Sequence, residues 1–127
     1  MISHLEFVQD PSCYAKRGDE YVVHIPFGLA SKEALLTFLR EKLQFPPYCG
    51  ANWDALLDCL RDLSWLKPRR VVLLHEDVPR LQEDDLRNYL GVLKSAIGDW
   101  KVDEEHELHG VFPEWNRSSV VRWMHDG

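Results

Sequence analysis

What this chain of 127 residues has little of narrows its chemistry before any motif is considered. No apolar run approaches the roughly 20 residues that a membrane-spanning helix requires, and the stretch Met1-Ile2-Ser3-His4-Leu5-Glu6 offers neither a basic segment nor a hydrophobic signal core. A cytoplasmic location is therefore expected, with no membrane contact. Cysteine is sparse: Cys13, Cys49 and Cys59 are odd in number and fit neither CxxC nor a zinc-ligand spacing. They are expected to be ordinary reduced thiols, with Cys49 near the surface and Cys59 more enclosed. Positive charge is in deficit, at 15 Lys and Arg against 21 Asp and Glu, a formal net charge of -6. Nucleic acid and anionic membranes need clustered cations, so the favoured partner is neutral or basic.

What is present suits one domain spanning residues 1–127: a hydrophobic content of 45% is enough for a real core, while the length is too short for two ordinary domains. There is no internal repeat. Glu20 to Ile25 reads as a strand closed by Pro26 and Gly28. Ser31 caps a helix to about residue 43, with Leu35, Leu36, Phe38, Leu39 and Leu43 as its apolar stripe and Pro46-Pro47 beyond its end. Asn52 caps a second helix to about residue 63, on which Trp53, Leu56, Leu57, Leu60 and Leu63 share one side.

Arg69-Arg70-Val71-Val72-Leu73-Leu74 runs apolar without alternation, as a central strand covered on both faces does. A third helix over about 84–97 starts on Glu83-Asp84-Asp85, acids that complement its dipole, and ends at Gly98. Val78 to Leu81 is expected to add one short turn, and Glu107 to Phe112 a further strand. Strands alternating with helices imply an α/β fold with parallel pairing. The two ends, His4 to Val8 and Val120 to Met124, are each read as a short edge strand.

The information-rich feature is the second helix, where Asp54, Asp58 and Asp62 recur every four residues and stack opposite the apolar stripe. Like charges so placed repel by a few tenths of a kcal/mol per pair, and only Asp54 gains from the positive end of the helix. By charge pattern alone this is a solvated face, with Arg61 partly neutralising Asp58.

The stretch Phe45-Pro-Pro-Tyr-Cys-Gly-Ala-Asn-Trp-Asp-Ala-Leu-Leu-Asp-Cys-Leu60 resembles the barstar family, intracellular protein inhibitors of ribonucleases. Pro46, Tyr48, Gly50, Asn52, Asp54, Ala55, Leu56, Asp58 and Leu60 fit that family's pattern around its inhibitory loop and helix. The resemblance implies a barstar-like three-stranded parallel sheet with helices, a core over about 19–113, and terminal extensions able to add edge strands. It implies further that Asp58 is the principal anion entering a basic ribonuclease, with Asp54 beside it, while Tyr48, Gly50 and Asn52 shape the contacting loop.

Trp53 and Leu57 complete the expected partner-binding set. The sequence departs from the family's pattern at Cys49, Ala51 and Leu57, and an acid contributed in the founding type by the later helix has no counterpart near Lys94-Ser95-Ala96. The expected function is a toxin-neutralising or housekeeping ribonuclease inhibitor. The alternative is a non-catalytic binding module that uses the same scaffold for an unrelated basic protein, including a non-ribonuclease toxin.

An enzyme is disfavoured because no nucleophile, convergent histidine or phosphate-gripping glycine loop accompanies Asp54 and Asp58. No cofactor is expected. A metal site at His106-Glu107-Leu108-His109, after Asp103-Glu104-Glu105, is also disfavoured, since strand positions three apart face opposite sides. His24 and His75 read as polar groups in or at the end of strands. Trp65, Trp100, Trp115 and Trp123 are expected to pack against the body of the protein.

Overall fold

A computed structural model describes residues 4–26, 28–47, 49–100 and 106–126, with residues 125 and 126 described by backbone alone. The chain runs β1 (Leu5–Val8), β2 (Glu20–Ile25), α1 (Lys32–Lys42), α2 (Trp53–Asp62), β3 (Arg70–His75), α3 (Glu83–Asp99), β4 (Glu107–Pro113) and α4 (Arg117–Asp126). All strand pairs are parallel, in the order β1-β4-β3-β2. The three expected strands thus form the sheet's larger part with β3 inside it, and β1 adds the expected edge. The carboxyl-terminal extension departs from expectation: Val120 to Met124 lies in a helix. Val120 and Met124 are buried while Arg122 between them is exposed; on a strand all three would share one face, whereas a helical stripe buries the two that are four apart. Val78 to Leu81 forms no helical turn.

Helices α1 and α2 begin at local caps. The Ser31 hydroxyl accepts from the Ala34 N–H at 3.1 Å, and Asn52 Oδ1 accepts from the Ala55 N–H at 2.7 Å, satisfying donors that the first turn leaves open. Helix α2 stops at Leu63, which adopts a left-handed conformation (φ 51°) and donates its N–H to the Cys59 carbonyl. That backbone costs a non-glycine residue about 1–2 kcal/mol. Full burial of the Leu63 side chain returns about 1.5–3 kcal/mol, which offsets it.

The main core lies between one face of the sheet and the helices. Val23, Ile25, Val71, Leu73, Leu108 and Phe112 meet Leu35 and Leu39 of α1, Leu56 and Leu60 of α2, and Tyr89, Leu90 and Leu93 of α3. On the other face, Val72, Leu74 and Val111 pack with Val8, Val22 and Tyr14. The segment before β2 therefore covers part of β3's second face, which accounts for its unbroken apolar run.

His75, at the end of β3, is fully buried and stacks on Phe112 with ring centroids 4.0 Å apart. Its Nδ1 lies 2.9 Å from the Val111 carbonyl, which can only accept, so Nδ1 carries the proton and Nε2 accepts from the Tyr89 hydroxyl at 2.6 Å.

At the opposite end of the sheet, register aligns Glu20, Arg70 and Glu107 across three strands. Arg70 joins both acids, at 3.4 Å to Glu20 and 2.8 Å to Glu107. Burial pushes the Glu107 carboxyl upward, but His109 and Arg70 outweigh it and hold the group at about 2.

Candidate functional site

The apolar stripe of α2 fixes its rotation. Leu56 and Leu60 are buried at 1% and 0% exposure, and this turns Asp54, Asp58 and Asp62 outward, all three exposed. Among the described residues Asp54 and Asp58 take part in no ion pair. Arg61, expected to neutralise Asp58, instead reaches across to Asp99 of α3 at 2.5 Å. Its guanidinium is thus engaged at the far end of the helix, and the two aspartates, one turn apart, are left as an uncompensated anionic edge.

The other expected contact residues divide by packing. Gly50, Ala51 and Asn52 are exposed in the loop before α2, and the Asn52 side chain caps the helix. Trp53 and Leu57 are half-buried against the main core, Trp53 with its ring 6.2 Å from that of Tyr89 and under the Lys32 ammonium at 5.8 Å. Both contribute partly to the core and partly to the surface beside the aspartates. Tyr48 lies outside the described residues. Ser95, at the place of the missing later acid, is exposed, and neighbouring Lys94 donates to the Met124 carbonyl at 2.7 Å.

The expectation of three reduced thiols is corrected here. Cys49 and Cys59 are bonded to each other, and both are buried, at 4% and 5% exposure. Cys13 is free and exposed. Sequence reasoning treated the odd count and the lack of CxxC as evidence against pairing. The available signal was that Cys59 sits on α2 between Asp58 and Leu60, on the side to which a loop returning just before the helix would come. The Cys49 N–H also donates to the Pro46 carbonyl at 3.0 Å. The loop is thus held by the turn from Pro46, by the disulfide and by the Asn52 cap.

The tryptophans divide as well. Trp65 donates to the Leu43 carbonyl at 2.8 Å and Trp100 to the Leu60 carbonyl at 3.0 Å, and these two and Trp123 pack on the core. Trp115 departs from the packing expectation, at 62% exposure. It follows β4 in a short 3-10 turn whose Asn116 is the buried residue, donating to Asp77 and accepting from the Val78 N–H. That turn aims the indole away from the body.

Chemically, the arrangement can present two carboxylates at fixed spacing to a cationic surface. A protein-family model for barstar, described as barnase inhibitor, matches residues 21–112, from the second residue of β2 to the sixth of β4. No curated protein matches the chain.

Proposed function

Because this chain belongs to the barstar family, we propose that it is a non-catalytic inhibitor that binds and blocks a basic ribonuclease through the outer edge of α2 and the loop before it. The observation that carries this reading is the pair Asp54 and Asp58, exposed and without ion pairs among the described residues, on a helix whose rotation is fixed by the buried Leu56 and Leu60. A ribonuclease active site concentrates Arg and Lys to hold phosphate. Carboxylates on a rigid helix occupy those groups without offering a bond to cleave.

Asp58 is the principal anion in this proposal and Asp54 supports it. The loop from Cys49 to Asn52 precedes them, Tyr48 belongs to the proposed contact by the family's pattern, and Trp53 and Leu57 supply apolar area at the edge. Repulsion between the two aspartates, a few tenths of a kcal/mol in the free chain, becomes attraction once a cation lies between them. The cap and the disulfide hold the loop before any partner arrives, which lowers the entropic cost of binding. A cytoplasmic location belongs to the proposal too; a reducing pool there would open the Cys49–Cys59 bond and leave the Asn52 cap and the turn from Pro46 to hold the loop.

Cys49, Ala51, Leu57 and Ser95, where the family's pattern has other residues, favour as second reading a basic partner outside the ribonucleases. One experiment separates the readings: affinity capture with the wild-type chain and with Asp58→Ala, followed by assay of the captured protein for RNA cleavage. Capture of a ribonuclease that the wild-type chain inhibits and Asp58→Ala does not supports inhibition. A captured partner without nuclease activity supports the second reading, and partners that bind both chains equally remove α2 from the account.

A further inference from the structure

Away from α2, on the face of the sheet that the α-helices do not cover, β4 and the residue before β1 bring together two imidazoles and a carboxylate. Glu107 and His109 are two apart on β4 and therefore project to the same side. Pairing of Leu5 with Gly110 brings His4 alongside His109, and the Gly110 N–H donates to the His4 carbonyl at 2.9 Å. The two imidazoles stack with centroids 4.1 Å apart and planes at 17°. His109 Nε2 lies 3.0 Å from Glu107 Oε1. One donor atom from each of His4, Glu107 and His109 lies within 4.8 Å of the other two.

A second, independent observation concerns His4. Its Nδ1 is buried and has no hydrogen-bond partner among the described residues, a condition shared there only by His106, outside the cluster. Buried polar atoms are nearly always paired, because an unpaired one forfeits hydration without return. A stacked pair of ordinary surface histidines would leave that nitrogen to water. A cavity of about 190 Å³ adjoins the cluster, lined in part by His4, Glu6, Tyr14 and His109.

We propose that His4, Glu107 and His109 form a three-ligand site for a divalent cation of the zinc class, with the fourth position open to this cavity. Two imidazoles and a carboxylate are the donors such ions select. Ligand atoms about 2.0–2.1 Å from a tetrahedral ion stand about 3.3 Å apart, so the His109–Glu107 pair at 3.0 Å is close to the required separation. His4 makes the larger adjustment. Lone pairs lie in the ring planes, and near-parallel planes do not converge, so the His4 ring turns about its own side-chain bonds while its backbone stays anchored to Gly110. Arg70 Nε, 2.8 Å from the same Glu107 Oε1 that faces His109, fixes the position of the carboxylate and leaves Oε2 free of that contact. Two guanidiniums, Arg17 and Arg70, face three carboxylates, Glu6, Glu20 and Glu107, which leaves the neighbourhood net negative before an ion enters.

The ion would fasten β1, which precedes the family-matched region, to β4. It would leave α2 untouched, since α2 packs on the sheet's other face. The spacing argument against a His106–His109 pair is compatible with this site: His106 turns away to the Leu66 carbonyl at 2.8 Å, and the third ligand comes from the distant His4.

The test titrates the metal-free full-length protein with Zn²⁺ by calorimetry and with Co²⁺ by visible absorption. One ion per chain and the absorption bands of four-coordinate Co²⁺ are expected. His4→Ala and His109→Ala should each weaken binding by roughly tenfold or more, whereas His24→Ala and Cys13→Ser should not change it. Thermal unfolding of each metal-free variant checks that the fold survives, and His4, at the margin of the sheet, is the variant least able to disturb it. Absence of saturable binding overturns the proposal, as does binding unchanged in both histidine variants or lost in Cys13→Ser.

Discussion

The sulfur of Cys49 is bonded to that of Cys59, linking the loop before α2 to the helix across a sequence separation of 10, with the Cα atoms 6.7 Å apart. Cross-linking a loop of that size removes unfolded-state entropy equivalent to about 3 kcal/mol. Reduction should therefore lower the urea midpoint of unfolding, and a Cys49→Ser/Cys59→Ser double variant should match the reduced wild type. Only the exposed Cys13 should react quickly with a thiol reagent in the oxidised native protein. An identical midpoint with and without reductant, or labelling of more than one thiol, would count against the bond.

A basic partner should associate fast at low salt and more slowly as salt rises, because opposed charges steer the encounter over a Debye length of about 8 Å at physiological ionic strength. Asp58→Ala should raise Kd by roughly tenfold or more, about 1.4 kcal/mol per decade. Asp62→Ala should cost less, since Asp62 lies a further turn along α2 from the loop. Rates for both variants at two salt concentrations decide this, and equal small losses would show that α2 is not the anchor.

Gly50 is exposed and its φ is not positive, and a methyl group added there would meet the Ala55 Cβ at an ordinary 3.5 Å. Gly50→Ala should fold normally and change stability by about 1 kcal/mol or less. If the partner approaches this backbone closely, affinity falls while the unfolding midpoint stays. Full retention of affinity would place Gly50 outside the contact.

His75 makes stability depend on acid. Burial strips its hydration and depresses the imidazole from 6.5 to about 4, against the opposing pull of the Val111 and Leu73 carbonyls. As pH falls, the unfolded chain takes up this proton near 6.5 and the folded chain only near 4. Stability is therefore unaffected by this group above 6.5 and declines across that window by up to about 3 kcal/mol. His75→Gln should be less stable at neutral pH, because the Tyr89 and Val111 partners fit it poorly, yet lose less on going to pH 4.5. Parallel losses in urea titrations of the two proteins would absolve His75.

Sequence by itself determined what depends on neighbours a few residues apart. Ser31 and Asn52 are caps because their side chains reach donors three residues on, and Leu56 and Leu60 rotate α2 so that Asp54 and Asp58 face out. The apolar run of β3 and its alternation with helices likewise announced a parallel sheet. Tertiary structure decided what depends on which distant segments meet. Arg61 takes Asp99 rather than Asp58 because α3 lies alongside α2. Val120 to Met124 is helical because its stripe docks on an existing core, where a short isolated segment has no strong preference. The Cys49–Cys59 bond requires the loop to return to the helix it precedes, and His4 meets His109 only through the pairing of β1 with β4. Such contacts carry a loop-closure cost that local pattern does not encode, and packing of the whole chain selects them.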